Sequence, residues 1–277
     1  QPIPDDELTF DRFLSKIFAP SFRAQDAEVQ FAKRLAMIAT LEADQGSAPL
    51  PERYKLHVLL RALWEDDSPY ARVVLIQAIR ELPLVYGVWK AIKHIFKAAE
   101  AKHDYAMLAV ISAKLDLARA KPQAQGISGA TLTYMVLRAW RVLRTLGEQA
   151  PIRYADTAIL YLAEYAESIQ DGRMIVSNTW LLNHLCFHNL PHSYGIDQFK
   201  LAGKRKLFDA KGRAFAQLWQ RHPAPLLRLI GLARSEAVRQ WATDSLIHDF
   251  ALQLREVSVG SIQQLSQLAI HSSARDE

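Results

Sequence analysis

The residues best equipped for chemistry in this chain are basic, and they fall in two stretches. TLTYMVLRAWRVLRTLG, residues 131–147, sets Arg138, Arg141 and Arg144 three residues apart, interleaved with Tyr134, Leu137 and Trp140. Such a face can pair with phosphates while its rings stack on bases or ribose. It equally suits a helix packed on two sides, with arginine stems covering apolar neighbours. KLAGKRKLFDAKGR, residues 200–213, gathers Lys200, Lys204, Arg205, Lys206, Lys211 and Arg213 against Asp209 alone. That surplus equals the +5 of the whole chain, so the positive field is local. Lysines in a long loop can reach an anion, and each phosphate neutralised would release a counterion and make binding salt-sensitive. The six basic residues of 200–213, together with Arg138, Arg141 and Arg144, are the expected contacts with nucleic acid or an acidic protein partner. The loop carries more of that expectation than the helix.

NHLCFHNLPH, residues 183–192, places His184 and His188 one helical turn apart, with Cys186 between them and His192 beyond Pro191. Two histidines at that spacing can share a zinc ion, but Leu185 stands where a catalytic glutamate would follow the first histidine. Cys186 lies roughly 200° around the helix from His184 and cannot join the same coordination sphere. A histidine pair packed beside aromatic residues is the expected outcome, and neither a metal nor another cofactor is assigned. No GxSxG elbow, phosphate-binding GxxxxGK[ST] loop or GxGxxG turn occurs, so no catalytic residue is assigned either. The acidic run Glu65-Asp66-Asp67 precedes a helix whose N-terminus it can stabilise.

The elements that must position these residues are helical. Half of the 277 residues are hydrophobic and only 11 are glycine, a composition that favours helix and opposes disorder. Apolar residues recur with helical period nearly throughout, and no stretch alternates with period two. The pattern predicts helices over 5–18, 24–43, 51–65, 68–81, 84–100, 103–119, 129–146, 152–169, 173–190, 211–221, 223–233, 235–250 and 258–271. In the helix of the opening stretch, Leu132, Met135, Val136, Ala139, Val142, Leu143 and Leu146 form an apolar arc of about 120°. Residues 191–210 read as a long basic loop, and a sub-boundary is expected at 120–130.

Two segments look like the same half of a repeat. SPYARVVLIQAI (68–79) and SEAVRQWATDSL (235–246) each begin with a serine suited to cap a helix. They place Ala71, Arg72, Leu75 and Ile79, and Val238, Arg239, Ala242 and Leu246, at matching offsets. This resembles the inner helix of HEAT repeats, and helix pairs recur at roughly 40 residues. The expectation is an all-α chain: a HEAT- or armadillo-like α-solenoid of stacked antiparallel pairs, about 12–13 helices in one elongated domain over 1–277.

A narrower resemblance rests on three stretches in order. They are TLTYMVLRAWRVLRTLG (131–147), NTWLLNHLCFHN (178–189) and RAFAQLWQRHPAPLLRLIGLARSEAVRQWATDSL (213–246). Over about residues 130–250 the chain resembles the helical-repeat region of large bacterial proteins that often carry a WGR domain. No Trp-Gly-Arg signature occurs here, so that domain's DNA contacts are not carried over. The resemblance implies fold and context, and no catalytic residues.

The leading expectation is therefore a non-enzymatic helical scaffold that presents a basic surface. One alternative is a DNA-binding enzyme resembling the HEAT-like alkylpurine DNA glycosylases, with Trp64 beside Glu65 and Asp66, or Trp241 near Asp244, at the lesion. Another is a purely structural region of a larger protein. Cys186 is the only cysteine, so no intramolecular disulfide can form, and a reducing cytoplasmic setting is expected. No apolar run approaches a membrane span. The first residue is Gln, and the chain is expected to be part of a longer one with further domains.

Overall fold

Punctuation in the sequence becomes helix ends. The computed structural model describes residues 56–120, 127–166, 169–170, 173–174, 179–189, 192–194, 199–201 and 212–255. Among them are α1 (Leu56–Asp66), α2 (Pro69–Glu81), α3 (Tyr86–Lys102), α4 (Tyr105–Arg119), α5 (Gly129–Gln149), α6 (Pro151–Ala163), α7 (Trp180–Phe187), α8 (Ala216–Trp219), α9 (Ala224–Leu232) and α10 (Glu236–Arg255). Two short antiparallel ribbons accompany them, β1 (Ile169–Gln170) with β2 (Arg173–Met174) and β3 (His192–Tyr194) with β4 (Phe199–Leu201). The class is all-α. The helices expected over 5–18, 24–43 and 258–271 lie outside the described residues.

The ribbons correct two helix expectations. The helix expected over 152–169 stops at Ala163, and the one expected over 173–190 begins only at Trp180. Between them Gln170 pairs with Arg173, with only Asp171-Gly172 between the strands in sequence. Asp-Gly is a strong hairpin signal because both residues tolerate positive φ. The expected loop at 191–210 is likewise partly paired, with Ser193 opposite Lys200 and Tyr194 opposite Phe199. Lys200 thus sits on a strand rather than in an open loop.

The chain divides into two compact units, Gln1–Ile111 with Ala124–Ser128, and Ser112–Gln123 with Gly129–Glu277; the division falls inside α4. In the first unit α1 packs on α2 and α3. Leu59, Leu60 and Leu63 of α1, Ala71, Leu75 and Ile79 of α2 and the apolar face of α3 are all buried. Ser68 Oγ accepts from the Ala71 amide at 3.2 Å, and Pro69 occupies the first turn, where its missing N–H would have had no helical partner. Arg72, at the repeat-like position, joins two helices. Its two Nη atoms each reach a different Asp104 carboxylate oxygen at 2.7 Å. Asp104 Oδ1 also accepts from the Met107 amide at 3.0 Å, so one carboxylate caps α4 and anchors α2. Burial alone would raise the Asp104 pKa, but Arg72, the Met107 amide and Lys102 outweigh it and leave it below its ordinary value.

In the second unit α5 packs on α6, α6 on α9, and α9 on α10, while α7 touches α5 and α6 and α8 lies on α6. Val238, Ala242 and Leu246 are buried as the repeat-like register demands. Arg239 Nη2 donates to the Ala233 carbonyl at 2.9 Å, which ties α10 to the end of α9. The two matched arginines therefore both brace helix starts, one through a carboxylate and one through a carbonyl.

Gly147, in the last turn of α5, faces the Phe215 ring: a Cβ built there would lie 2.7 Å from two ring carbons. Helix propensity alone would reward Gly147→Ala by about 1 kcal/mol. With the ring in the way, the substitution is expected instead to destabilise the protein by about 1–3 kcal/mol in urea denaturation. A stabilised variant would show that Phe215 moves freely.

Candidate functional site

The outer face of α5 is the best-defined basic surface among the described residues. Leu132, Met135, Val136, Ala139, Leu143 and Leu146 are buried, which turns the opposite side outward. Tyr134 is 52% exposed and Leu137 43%. Arg138 Nη1 lies 3.5 Å from the Tyr134 hydroxyl, and the Arg141 guanidinium sits 5.9 Å from the Tyr134 ring centroid. The Arg138 hydrogen bond and charge, with help from Arg141, lower the Tyr134 phenol pKa. Arg144 extends the row by one turn and meets Glu148 at 3.7 Å, an exposed i,i+4 pair of small energetic weight. The face thus offers two guanidinium groups at one exposed aromatic ring, with a third further along the helix.

Trp140, expected on this outer side, is only 8% exposed. Its ring meets His184 edge-on at 4.3 Å, His188 at 5.3 Å and Phe215 at 6.5 Å. Because α5 packs against α7 as well as α6, its buried arc is wider than packing against one helix requires.

Of the 200–213 cluster, only Arg213 is described with its side chain. Lys204, Arg205, Lys206 and Lys211 lie outside the described residues, and of Lys200 only the strand position is described. Arg213 is a correction: its side chain is fully buried and paired through Nη2 with Asp249 Oδ2. The backbone explains why. Asn189 N donates to the Gly212 carbonyl at 2.6 Å, and Ala214 N donates to the Leu185 carbonyl at 2.9 Å. This stitches 212–214 along the end of α7, where helix carbonyls need partners, and carries Arg213 inward. Phe215 then turns the chain with φ 50°, and Trp219 Nε1 closes back on the Ala214 carbonyl at 3.1 Å.

One buried polar constellation among the described residues has no counterpart in the sequence expectations. Asp116 of α4 is fully buried and accepts from the Tyr165 hydroxyl at 2.8 Å. It also accepts from the amides of Trp180 at 2.9 Å, Leu181 at 2.8 Å and Leu182 at 3.4 Å. Thr179 makes no side-chain cap of α7, so Asp116 caps that helix from another element and faces its positive end. Burial pushes the Asp116 carboxyl pKa up, against the pull of these four donors, and pushes the Tyr165 phenol well up too. Its signal in the sequence is a single carboxylate in the apolar run of SAKLDLAR. There it continues a one-turn spacing from Leu108 and Ser112, both fully buried.

His184 stacks on Trp180 at 4.4 Å, and its Nε2 lies 3.0 Å from His188 Nδ1. Cys186 is buried away from solvent, and burial pushes its thiol pKa up, so it stays a protonated packing residue. No group of three or more metal-ligating side chains is found among the described residues. Trp64 and Trp241 are buried at 5% and 6% exposure. Lys102 lies 4.9 Å over the Trp64 ring, and Asp66 accepts from the Ser68 hydroxyl at 3.0 Å. No helix among the described residues is long and apolar enough to cross a membrane.

What fold and site define together is an all-α protein with a basic, tyrosine-centred helix face. Comparison with protein-family models, curated proteins and solved structures returned no match.

Proposed function

We propose that the chain is a non-enzymatic helical-repeat scaffold that binds nucleic acid on the outer face of α5. The observation that carries this reading is the exposed Tyr134 ring flanked by Arg138 and Arg141, with Arg144 one turn on. Guanidinium groups neutralise phosphates while an exposed ring accepts a base or ribose, and this pairing is tolerant of sequence. The HEAT-like solenoid and the WGR-associated context belong to the same proposal. The braced helix starts at Arg72 and Arg239 support the repeat, and a row of arginines beside an exposed tyrosine fits a scaffold beside DNA-handling domains. Lys204, Arg205, Lys206 and Lys211 are proposed as a second set of phosphate-binding residues. The burial of Trp64 and Trp241 favours this scaffold over a lesion-binding enzyme.

The test is fluorescence anisotropy with labelled single- and double-stranded DNA and RNA, beginning near about 50 mM salt. Replacing Arg138, Arg141 and Arg144 together by Gln is expected to weaken binding by about tenfold or more. It should also reduce the salt slope by roughly one for each phosphate that is no longer neutralised. A parallel Lys204, Arg205, Lys206 and Lys211→Gln variant reads the second set separately. Absence of binding to every nucleic acid at low salt would overturn the reading and leave an acidic protein surface as the partner to seek.

A further inference from the structure

We infer that His184 and His188 form a two-nitrogen site for one divalent transition-metal ion of the copper or nickel class. His184 lies in the last turn of α7 and His188 is its C-terminal cap residue. His184 Nε2 and His188 Nδ1 are 3.0 Å apart. For two imidazole nitrogens each about 2.05 Å from a common ion, that span subtends about 94°. An angle near 90° is the bite of square-planar, tetragonal or octahedral coordination, the geometry of Cu²⁺ and Ni²⁺. The ion takes the place of the hydrogen bond that now joins the two rings.

The rings are already oriented. Trp180 stacks on His184 at 4.4 Å with 12° between planes, and Trp140 meets His184 edge-on at 4.3 Å and His188 at 5.3 Å. Fixed rings lower the ordering entropy that binding would otherwise cost. Both histidines are half-buried residues, not enclosed in the core. Cys186 is buried and contributes nothing. The site is independent of the basic face on α5.

The experiment titrates the full chain with Cu²⁺ and Ni²⁺, following tryptophan fluorescence, because Trp140 and Trp180 touch the ligand rings and a paramagnetic ion there quenches them. The Cu²⁺ form is then read by electron paramagnetic resonance. Expected are one ion per chain, quenching that saturates with it, and superhyperfine splitting from two imidazole nitrogens. Nickel should bind at least as tightly as zinc. His188→Gln and His184→Gln should each weaken binding by about tenfold or more, with the circular dichroism spectrum unchanged. If either variant fails to fold, the spectrum of the unaltered protein decides. No saturable one-to-one binding, a spectrum without two nitrogens, or unchanged affinity in a folded His188→Gln protein would each overturn the inference.

Discussion

Asp249→Ala is expected to destabilise the protein by about 3–5 kcal/mol, the range for removing one partner of a buried ion pair. Both side chains of the Arg213–Asp249 pair are fully buried. The other side of the Arg213 guanidinium is already costly, since Nε and Nη1 have no hydrogen-bond partner. Without Asp249 a buried cation would be left with no acceptor at all. Asp249 Oδ1 also accepts from Gln220 at 3.3 Å and lies 3.0 Å from His248 Nδ1, so the same carboxylate ties α10 to the turn after α8. The double variant Arg213→Met/Asp249→Leu removes both charges at similar volume and is expected to recover most of the loss. Urea denaturation of the two single variants and the double measures the coupling. If Asp249→Ala costs less than about 1 kcal/mol, the pair is solvated and weak, as surface pairs are.

Asp116→Ala is expected to have a comparable effect, about 3–5 kcal/mol, for a different reason. No ion pair is broken. Instead the Tyr165 hydroxyl and the first three amides of α7 lose a shared acceptor in a site without solvent. Each stranded donor costs about 1–3 kcal/mol before relaxation, and the helix loses a negative charge at its N-terminus. Asp116→Asn keeps an acceptor oxygen and the shape but brings two donors into a group of donors, so it should recover only part of the loss. Because α7 carries His184 and His188, hydrogen exchange should show its amides opening first in Asp116→Ala. Uniform loss of protection across the unit would instead mean that the carboxylate supports the whole core and not α7 in particular.

The sequence reading reached some of this. Helical period located the body of nearly every described helix, because a core stripe is a local property of spacing. Ser68 marks the start of α2 for reasons internal to that turn. The apolar arc of α5 is buried from Leu132 to Leu146 except at Val142, which is half-buried, and Tyr134 and Leu137 are exposed. Composition is a poor proxy for exposure. Arg213 counted as a surface cation because it follows lysines, although the apolar run RAFAQLW after it signalled a return to the core. Asp171-Gly172 looks like simple punctuation in the sequence, but the residues on either side of it pair as a ribbon.

By itself, then, the sequence determined an all-α chain, the apolar face of its helices, the caps of helices that cap themselves, and the local charge surplus. Each depends on residues within a turn or two of one another. Only the tertiary structure decided which polar groups belong inside. Asp116 caps a helix more than sixty residues away, Arg213 finds its carboxylate on α10, Gly147 is small because Phe215 returns to it, and Trp140 turns inward to meet α7. A buried charge or an omitted side chain is stable only when the long-range partner is in place, and local spacing does not specify that partner. Of the two basic stretches, the helix face keeps Arg138 and Arg141 beside an exposed Tyr134, and the other gives Arg213 to the core.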